Sequence, residues 1–275
     1  DRCERRGMLM PTTYTHYTYG QEIIRMLSPK LQKKILPYIN YYNIGVHGPD
    51  ILFYYRSFSK NEVNQYGVKV HDEPMRCFLE HAFTVFKKQR RKNAAFAYLA
   101  GFMTHYILDS TCHPYIRQRM AETGISHAEM ETDWDYLMMK RDYRNPLHYK
   151  VARHIRTGLA YSSVIGPYYG IPARKISTGL WYMKLILNHF FHSHFGVKRA
   201  VTAFINENFL PRLSFQHYFR KKKMNPQNRD TCRHLYRLYK DSRAECAQMI
   251  EEMYLALQKD DRSFCRKGRF ERLFS

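Results

Sequence analysis

Residues 94–108 (AAFAYLAGFMTHYIL) are apolar on nearly every face of a helix, and this stretch constrains the fold more than any other. It is shorter than the roughly 18–20 residues a bilayer span needs, so it reads as a helix buried in protein. Such a helix requires other helices packed around it. The flanking sequence predicts them. Met75, Phe78, Leu79, Ala82, Phe83 and Phe86 follow the i, i+3, i+4 stripe of a helix that Asp72 is placed to cap. Lys87, Lys88, Arg90, Arg91 and Lys92 close it with cations, which suits the helix dipole. Asn93 then opens the apolar helix, expected to run to about Ser110 and to be stopped by Pro114. Ser126 and Glu129 form an S-x-x-E capping box for a third helix reaching about Arg141. Further helical stretches are expected at 177–189, 197–208 and 230–259. Sustained alternation and Asn-Gly hairpin turns are both missing, so strands are not expected.

The expectation is an all-α chain: a short disordered extension over 1–9, then a single multi-helix domain over 10–275 with a site between its helices. A 44% apolar, 15% aromatic composition excludes intrinsic disorder. The formal net charge of +21 is uneven: +7 over residues 1–150 and +14 over 151–275. That excess points to an anionic partner, whether a phosphate-bearing small molecule, a membrane surface or nucleic acid. The first thirty residues hold no apolar run of signal-peptide length, and the six cysteines are scattered without a C-x-x-C pair. Both features suit free thiols and a cytoplasmic protein.

Chemistry-bearing residues concentrate on the central helices. His105 and Asp109 stand one above the other at i, i+4, and His113 continues the line. The third helix repeats the device with His127 and Glu131, and Asp135 lies one turn further. Imidazole and carboxylate are the ligands that a borderline divalent ion such as zinc takes. Spacing alone is weak support, since two His-x-x-x-acid pairs are near what chance supplies. Context argues better. Asp109 lies in an apolar helix with no Lys or Arg between Asn93 and Pro114, and an unpaired buried carboxylate is costly. A metal fills that need, and so does a His–Asp hydrogen bond or a distant Arg. Upstream stand His16, Asp50 in His47-Gly-Pro-Asp50, and His71-Asp72. For Asp50 the simpler role is a cap on the segment Ile51-Leu-Phe-Tyr-Tyr. For His71 taken alone, the simpler reading is a surface histidine.

Taken in order, Asp50, His71, His105-x3-Asp109-x3-His113 and His127-x3-Glu131 resemble the zinc-dependent phospholipase C family, whose fold and metal site fungal single-strand-specific nucleases share. The segments Met-Pro-Thr-Thr-Tyr-Thr-His-Tyr, His47-Gly-Pro-Asp-Ile-Leu-Phe-Tyr-Tyr and Asp109-Ser-Thr-Cys-His-Pro-Tyr are most like a bacterial branch of it. The resemblance covers about residues 10–142; the basic helical half, 143–275, carries no motif. It implies an all-α fold with up to three zinc ions in a cleft. It also implies Asp50, His71, His105, Asp109, His113, His127 and Glu131 as ligands, with His16 joining Asp109 on the third ion. Asp109 would then bridge two metals. In secreted members the amino group of the processed first residue completes that third position. Pro11 would supply it if the chain began at Met10 and lost the Met. The residues that hold choline in the secreted enzymes have no clear counterparts.

The implied activity is phosphodiester hydrolysis, phospholipase C-like, with Asp50 orienting or deprotonating the attacking water and Tyr106, Thr111 and Tyr115 as candidate outer partners of the imidazoles. The expected partner is a phosphate ester such as a phospholipid, with peripheral contact to an anionic membrane. Nucleic acid is an alternative that no zinc-finger, helix-turn-helix or RNA-binding motif supports. His71-Asp72 is also the dipeptide of HD-type phosphohydrolases, a reading that leaves the 105–131 constellation unexplained. A non-catalytic reading rests on Arg220-Lys-Lys-Lys223, which could hold a phosphate backbone or a bilayer and is more simply a solvated loop. The run Asn188-His-Phe-Phe-His192-Ser-His194 reads as a helix end and is assigned no site. Trp134 and Trp181 read as core, and the long helix from Asp230 as a packing element.

Overall fold

The computed structural model describes residues 12–57, 59–190 and 223–274. The expected extension over 1–9, Pro11, the 197–208 helix, Cys3, His192, His194 and Arg220–Lys222 of the basic run lie outside these residues. The described residues contain no strand. In chain order they form α1 (Thr13–Met26), α2 (Pro29–Ile35), α3 (Ile39–Gly45), a 3-10 turn (Gly48–Leu52), α4 (Glu62–Asp72), α5 (Met75–Lys88), α6 (Lys92–Thr123) and α7 (His127–Arg141). Then come α8 (Leu159–Ile165), α9 (Ala173–Leu185), which loosens into a π turn (Ile186–Phe190), and α10 (Arg229–Lys259), followed by two 3-10 turns (Arg262–Arg266 and Gly268–Glu271).

The central helix is α6, as its composition requires. Every residue from Ala94 to Ser110 is buried, and α1, α2, α3, α5, α7, α8 and α10 all pack against it. The buried hydrophobic side chains, from Tyr14 to Phe274, form one core around it.

Local rules explain most boundaries. Ser28 accepts a hydrogen bond from the Leu31 amide, with Pro29 opening α2. Asn61 and Asn64 make a reciprocal capping box for α4. Ser126 caps α7 through the Glu129 amide, as its sequence indicates. Gly124, at φ 70°, ends α6 in the left-handed conformation.

Four expectations are corrected. Pro114 does not stop the apolar helix; α6 runs through it to Thr123. Proline removes only one amide, and the buried Cys112, His113 and Ile116 hold the far half of α6 in place by packing. Asp72 does not cap α5. It is the last residue of α4, a helix opened by Asn61, and Pro74 is the N-cap of α5. The 177–189 helix begins earlier, at Ala173. Trp181 is 51% exposed, whereas Trp134 is buried as expected.

Two glycines set the height of the site. At the α3–α6 crossing, a Cβ on Gly45 would collide with the Tyr98 carbonyl, and one on Gly101 with the Tyr42 carbonyl. The helices therefore touch backbone to backbone, and the turn after α3 arrives level with His105. Replacing Gly101 by Ala forces backbone apart and is expected to lower stability by about 1–3 kcal/mol, read by denaturant unfolding. An unchanged midpoint would show that the crossing has slack.

Candidate metal centre

Five elements meet in one buried region. His16 comes from α1, Asp50 from the 3-10 turn, His71 from α4, His105, Asp109 and His113 from α6, and His127 and Glu131 from α7. The three i, i+4 pairs on α6 and α7 bring their own members together as helix geometry requires. The long-range partners complete three groups whose nitrogen and carboxylate atoms converge: Asp50, His71 and His105; His16, His105 and Asp109; and His113, His127 and Glu131. All are buried except His127, which is partly exposed.

Asp109 is the hub. Its Oδ1 lies 3.1 Å from His16 Nε2 and 3.8 Å from His113 Nε2, and its Oδ2 lies 3.1 Å from His105 Nε2. Asp50 Oδ1 faces His71 Nε2 at 3.1 Å and His105 Nε2 at 3.8 Å. Glu131 Oε1 faces His127 Nε2 at 3.0 Å and His113 Nε2 at 3.3 Å. Many of these are approaches without hydrogen-bond geometry. His105 Nε2, Asp109 Oδ2, His127 Nε2 and Glu131 Oε2 are buried with no hydrogen-bond partner. Imidazole lone pairs and carboxylate oxygens facing one another repel unless a proton or a cation lies between them. The donor set, nitrogen and carboxylate oxygen from His, Asp and Glu, is the one zinc takes. The residues fit the ion.

The same electrostatics acts on the side chains themselves. Burial alone would raise the Asp109 carboxyl, but the imidazoles of His105, His113 and His16 hold it well below its ordinary range. Glu131 is likewise penalised by burial, yet His127 and His113 bring it down to about 2. Burial opposes protonation of His113, and Asp109 and Glu131 overcome it, pushing it up to about 9. His16 and His71 are raised as well, against burial, chiefly by Asp109 and Asp50 respectively.

The supports were only partly legible. Asp50 does not cap the segment after it; its carboxylate points to His71 and His105 instead. His71 is buried, and its Nδ1 donates to the Gly67 carbonyl at 2.7 Å, which leaves the Nε2 lone pair for the site. Gly48 (φ 46°) cannot be replaced, because a Cβ there would meet the His105 ring. Asp135 serves fold rather than ligation. It accepts the Tyr14 amide at 3.0 Å, the Thr15 amide at 2.8 Å and the Thr15 hydroxyl at 2.6 Å. It thus caps α1 from across the molecule, and burial lifts its carboxyl to about 6 in spite of those bonds. Phe274, invisible in any local pattern, packs at ring-centroid distances of 5.4 Å from His71 and 6.1 Å from His105.

The three candidate outer partners of the imidazoles point elsewhere. Tyr106 donates to the Arg269 carbonyl, Thr111 to the Ile107 carbonyl, and the Tyr115 ring packs on His234. His81 and His189 join no group. Among the described cysteines, Cys77, Cys112, Cys246 and Cys265 are free thiols, as expected. No helix among the described residues is long and apolar enough to cross a membrane.

An all-helical core wrapped around three histidine–carboxylate groups defines a class: α-proteins with a candidate metal centre to which one central helix supplies three of the eight candidate ligands. The chain belongs to the zinc-dependent phospholipase C family, whose sequence profile matches residues 15–249, well beyond the segment that carries the motifs. No curated protein and no solved structure matches it.

The pKa directions give a pH dependence for protein stripped of metal. His113 lies above its unfolded value of 6.5, so its stabilising effect is complete below pH 6.5 and lost as pH rises through about 9. Glu131 lies below 4.5, so its effect is present above pH 4.5 and lost only as pH falls through about 2. Thermal unfolding of chelator-treated protein is therefore expected to weaken from pH 6.5 to 9. Saturating zinc should remove that decline, since the ion replaces the protons. A flat metal-free profile over this interval would contradict the His113 environment described here.

Proposed function

We propose that the chain is a zinc-dependent hydrolase of phosphoric ester bonds, acting on a phosphodiester in the manner of a phospholipase C. The observation that carries this reading is Asp109, a buried carboxylate whose two oxygens face imidazoles from different elements. Such an arrangement suits a bridging ligand. In this reading Asp50, His71, His105 and Asp109 hold one ion, His113, His127 and Glu131 a second, and His16 with Asp109 a third. Zinc bound in this way supplies Lewis acidity toward a phosphate oxygen and toward the attacking water.

Asp50 is the proposed catalytic base. Its Oδ1 is engaged by His71, and the carboxylate accepts a proton as water attacks phosphorus. The phosphorus–oxygen ester bond breaks, and that proton ends on the departing alkoxide. His127, the least buried member, marks the side from which substrate arrives. The basic excess favours anionic substrates and contact with an anionic membrane, and equally suits single-stranded nucleic acid as a second reading. Residues 10–275 are proposed to act as one domain, the basic half beside the metal site.

Purified protein is expected to contain two or three zinc ions per chain. His105→Ala removes a ring shared by two of the groups. It should deplete zinc and reduce bis-phosphodiester hydrolysis by more than the ~10–100-fold typical of losing an outer-shell partner. Protein without zinc that added zinc cannot activate would sink the proposal. Turnover of a short-chain phospholipid against single-stranded DNA separates the two substrate readings. Salt-sensitive binding without turnover would mark a binding module.

A further inference from the structure

One titratable pair, a buried His47 and a partly buried His154, takes no part in the proposed ligand set. His47 and His154 face each other with Nε2 atoms 2.7 Å apart. Their rings lie 5.0 Å apart and 27° from parallel, and the Tyr17 ring stacks on His154 at 3.9 Å and 17°. A contact of that length needs a single hydrogen between the nitrogens, because two N–H groups would clash and two lone pairs would repel. The backbone of Val151 is also a hydrogen-bond partner of His154, and its carbonyl can only accept. The other ring nitrogen of His154 therefore carries hydrogen, its Nε2 holds a lone pair, and His47 Nε2 donates.

Both rings are biased toward the uncharged form. Burial, with His154, His16 and His105 nearby, holds His47 well below its ordinary value. Burial, Arg153 and Lys184 take His154 down to about 3. A neutral clamp tolerates cations beside it, which a charged one would not.

Its position is what gives it consequence. Tyr17 directly follows His16 on α1. His47 stands three residues before Asp50, whose amide donates to the His47 carbonyl at 3.0 Å. The segment bearing His154 is itself fixed, since the Ala152 amide donates to Asn188 Oδ1 at 2.9 Å and Lys184 Nζ to the Ile155 carbonyl at 3.1 Å. His154 thus grips, through two different contacts, the neighbourhoods of two candidate ligands that come from separate elements.

We propose that His154 is a positioning residue that sets the separation of His16 and Asp50, by stacking on Tyr17 while accepting the hydrogen bond of His47. This rests on the metal-centre reading above. It predicts that His154 governs the ions held by His16 and Asp50, and not the ion held by His113, His127 and Glu131.

The test is zinc binding by equilibrium competition with a chelator, using the full chain. His154→Phe keeps a stacking ring and removes the acceptor; His154→Gln restores an acceptor. His154→Phe should weaken one or two ions by about 10–100-fold and leave another unchanged, while His154→Gln recovers part of the loss. Tyr17→Leu, which removes the stacking alone, should weaken the same ions and decides the matter if His154→Phe does not fold. Zinc affinities equal to wild type in these variants, or uniform weakening of every ion, would overturn the positioning role and leave the metal centre standing. A wild-type chain that binds no zinc would instead remove the metal centre itself, and this inference with it.

Discussion

The structure depends on keeping one negative charge, the Asp109 carboxylate, inside an apolar helix. An isolated carboxylate there would cost several kcal/mol, and no Lys or Arg lies near it on α6. The compensation comes from imidazoles on two helices, His105 and His113 one turn either side and His16 from α1. Those rings are themselves buried, so they too need partners, and Asp50 and Glu131 supply them from the 3-10 turn and α7. The burial of one charge thus recruits side chains from α1, the 3-10 turn and α7. The core and the site are a single arrangement, in which removing any member leaves an uncompensated charge.

What could be read in the sequence follows the range of the interactions. Helix spacing exposes His105, Asp109, His113, His127 and Glu131, because pairs on one helix meet wherever the helix lies. The continuous burial of α6 was equally legible, since nothing but protein can surround such a segment. His16, Asp50 and His71 are assigned as ligands only through resemblance to the family; by local rules Asp50 is a cap and His71 a surface histidine, and no local pattern gives His16 a role. Pro114 shows the opposite failure, where a strong local signal yields to packing of the residues beyond it. The His47–His154 contact joins residues 107 positions apart, and Phe274 meets His71 from the far end of the described chain. No periodicity encodes such pairs. His47 stands in the His47-Gly-Pro-Asp50 motif, yet its partner carries no signal at all.

The charge distribution takes on a different meaning beside this site. The half with the proposed ligands has the smaller excess because its acids are spent inside: Asp50, Asp109, Glu131, Asp133 and Asp135 are all buried. Buried acids matched by imidazoles contribute little to the outer field, so surface Lys and Arg dominate it. Among the described residues no Lys or Arg is buried, so their positive charge belongs to the exterior. It draws anions toward the molecule, while the chemistry belongs to groups whose charges largely cancel.

Asp135 shows how the fold enforces the geometry of the site. The first turn of α1 is buried, so its free amides cannot turn to water, and Thr12 provides no side-chain cap. A carboxylate from α7 answers them, at the unusual expense of holding a buried acid. A local serine would have capped α1 without that burden, but it would have tied α1 to nothing. Asp135 stands one helical turn beyond Glu131, so the same face of α7 carries a proposed ligand and the anchor of α1. His16, the residue directly after Thr15, is thereby placed against Asp109 by a contact that belongs to α7. The spacing of the groups is set by such cross-element bonds, and α6 alone could not have set it.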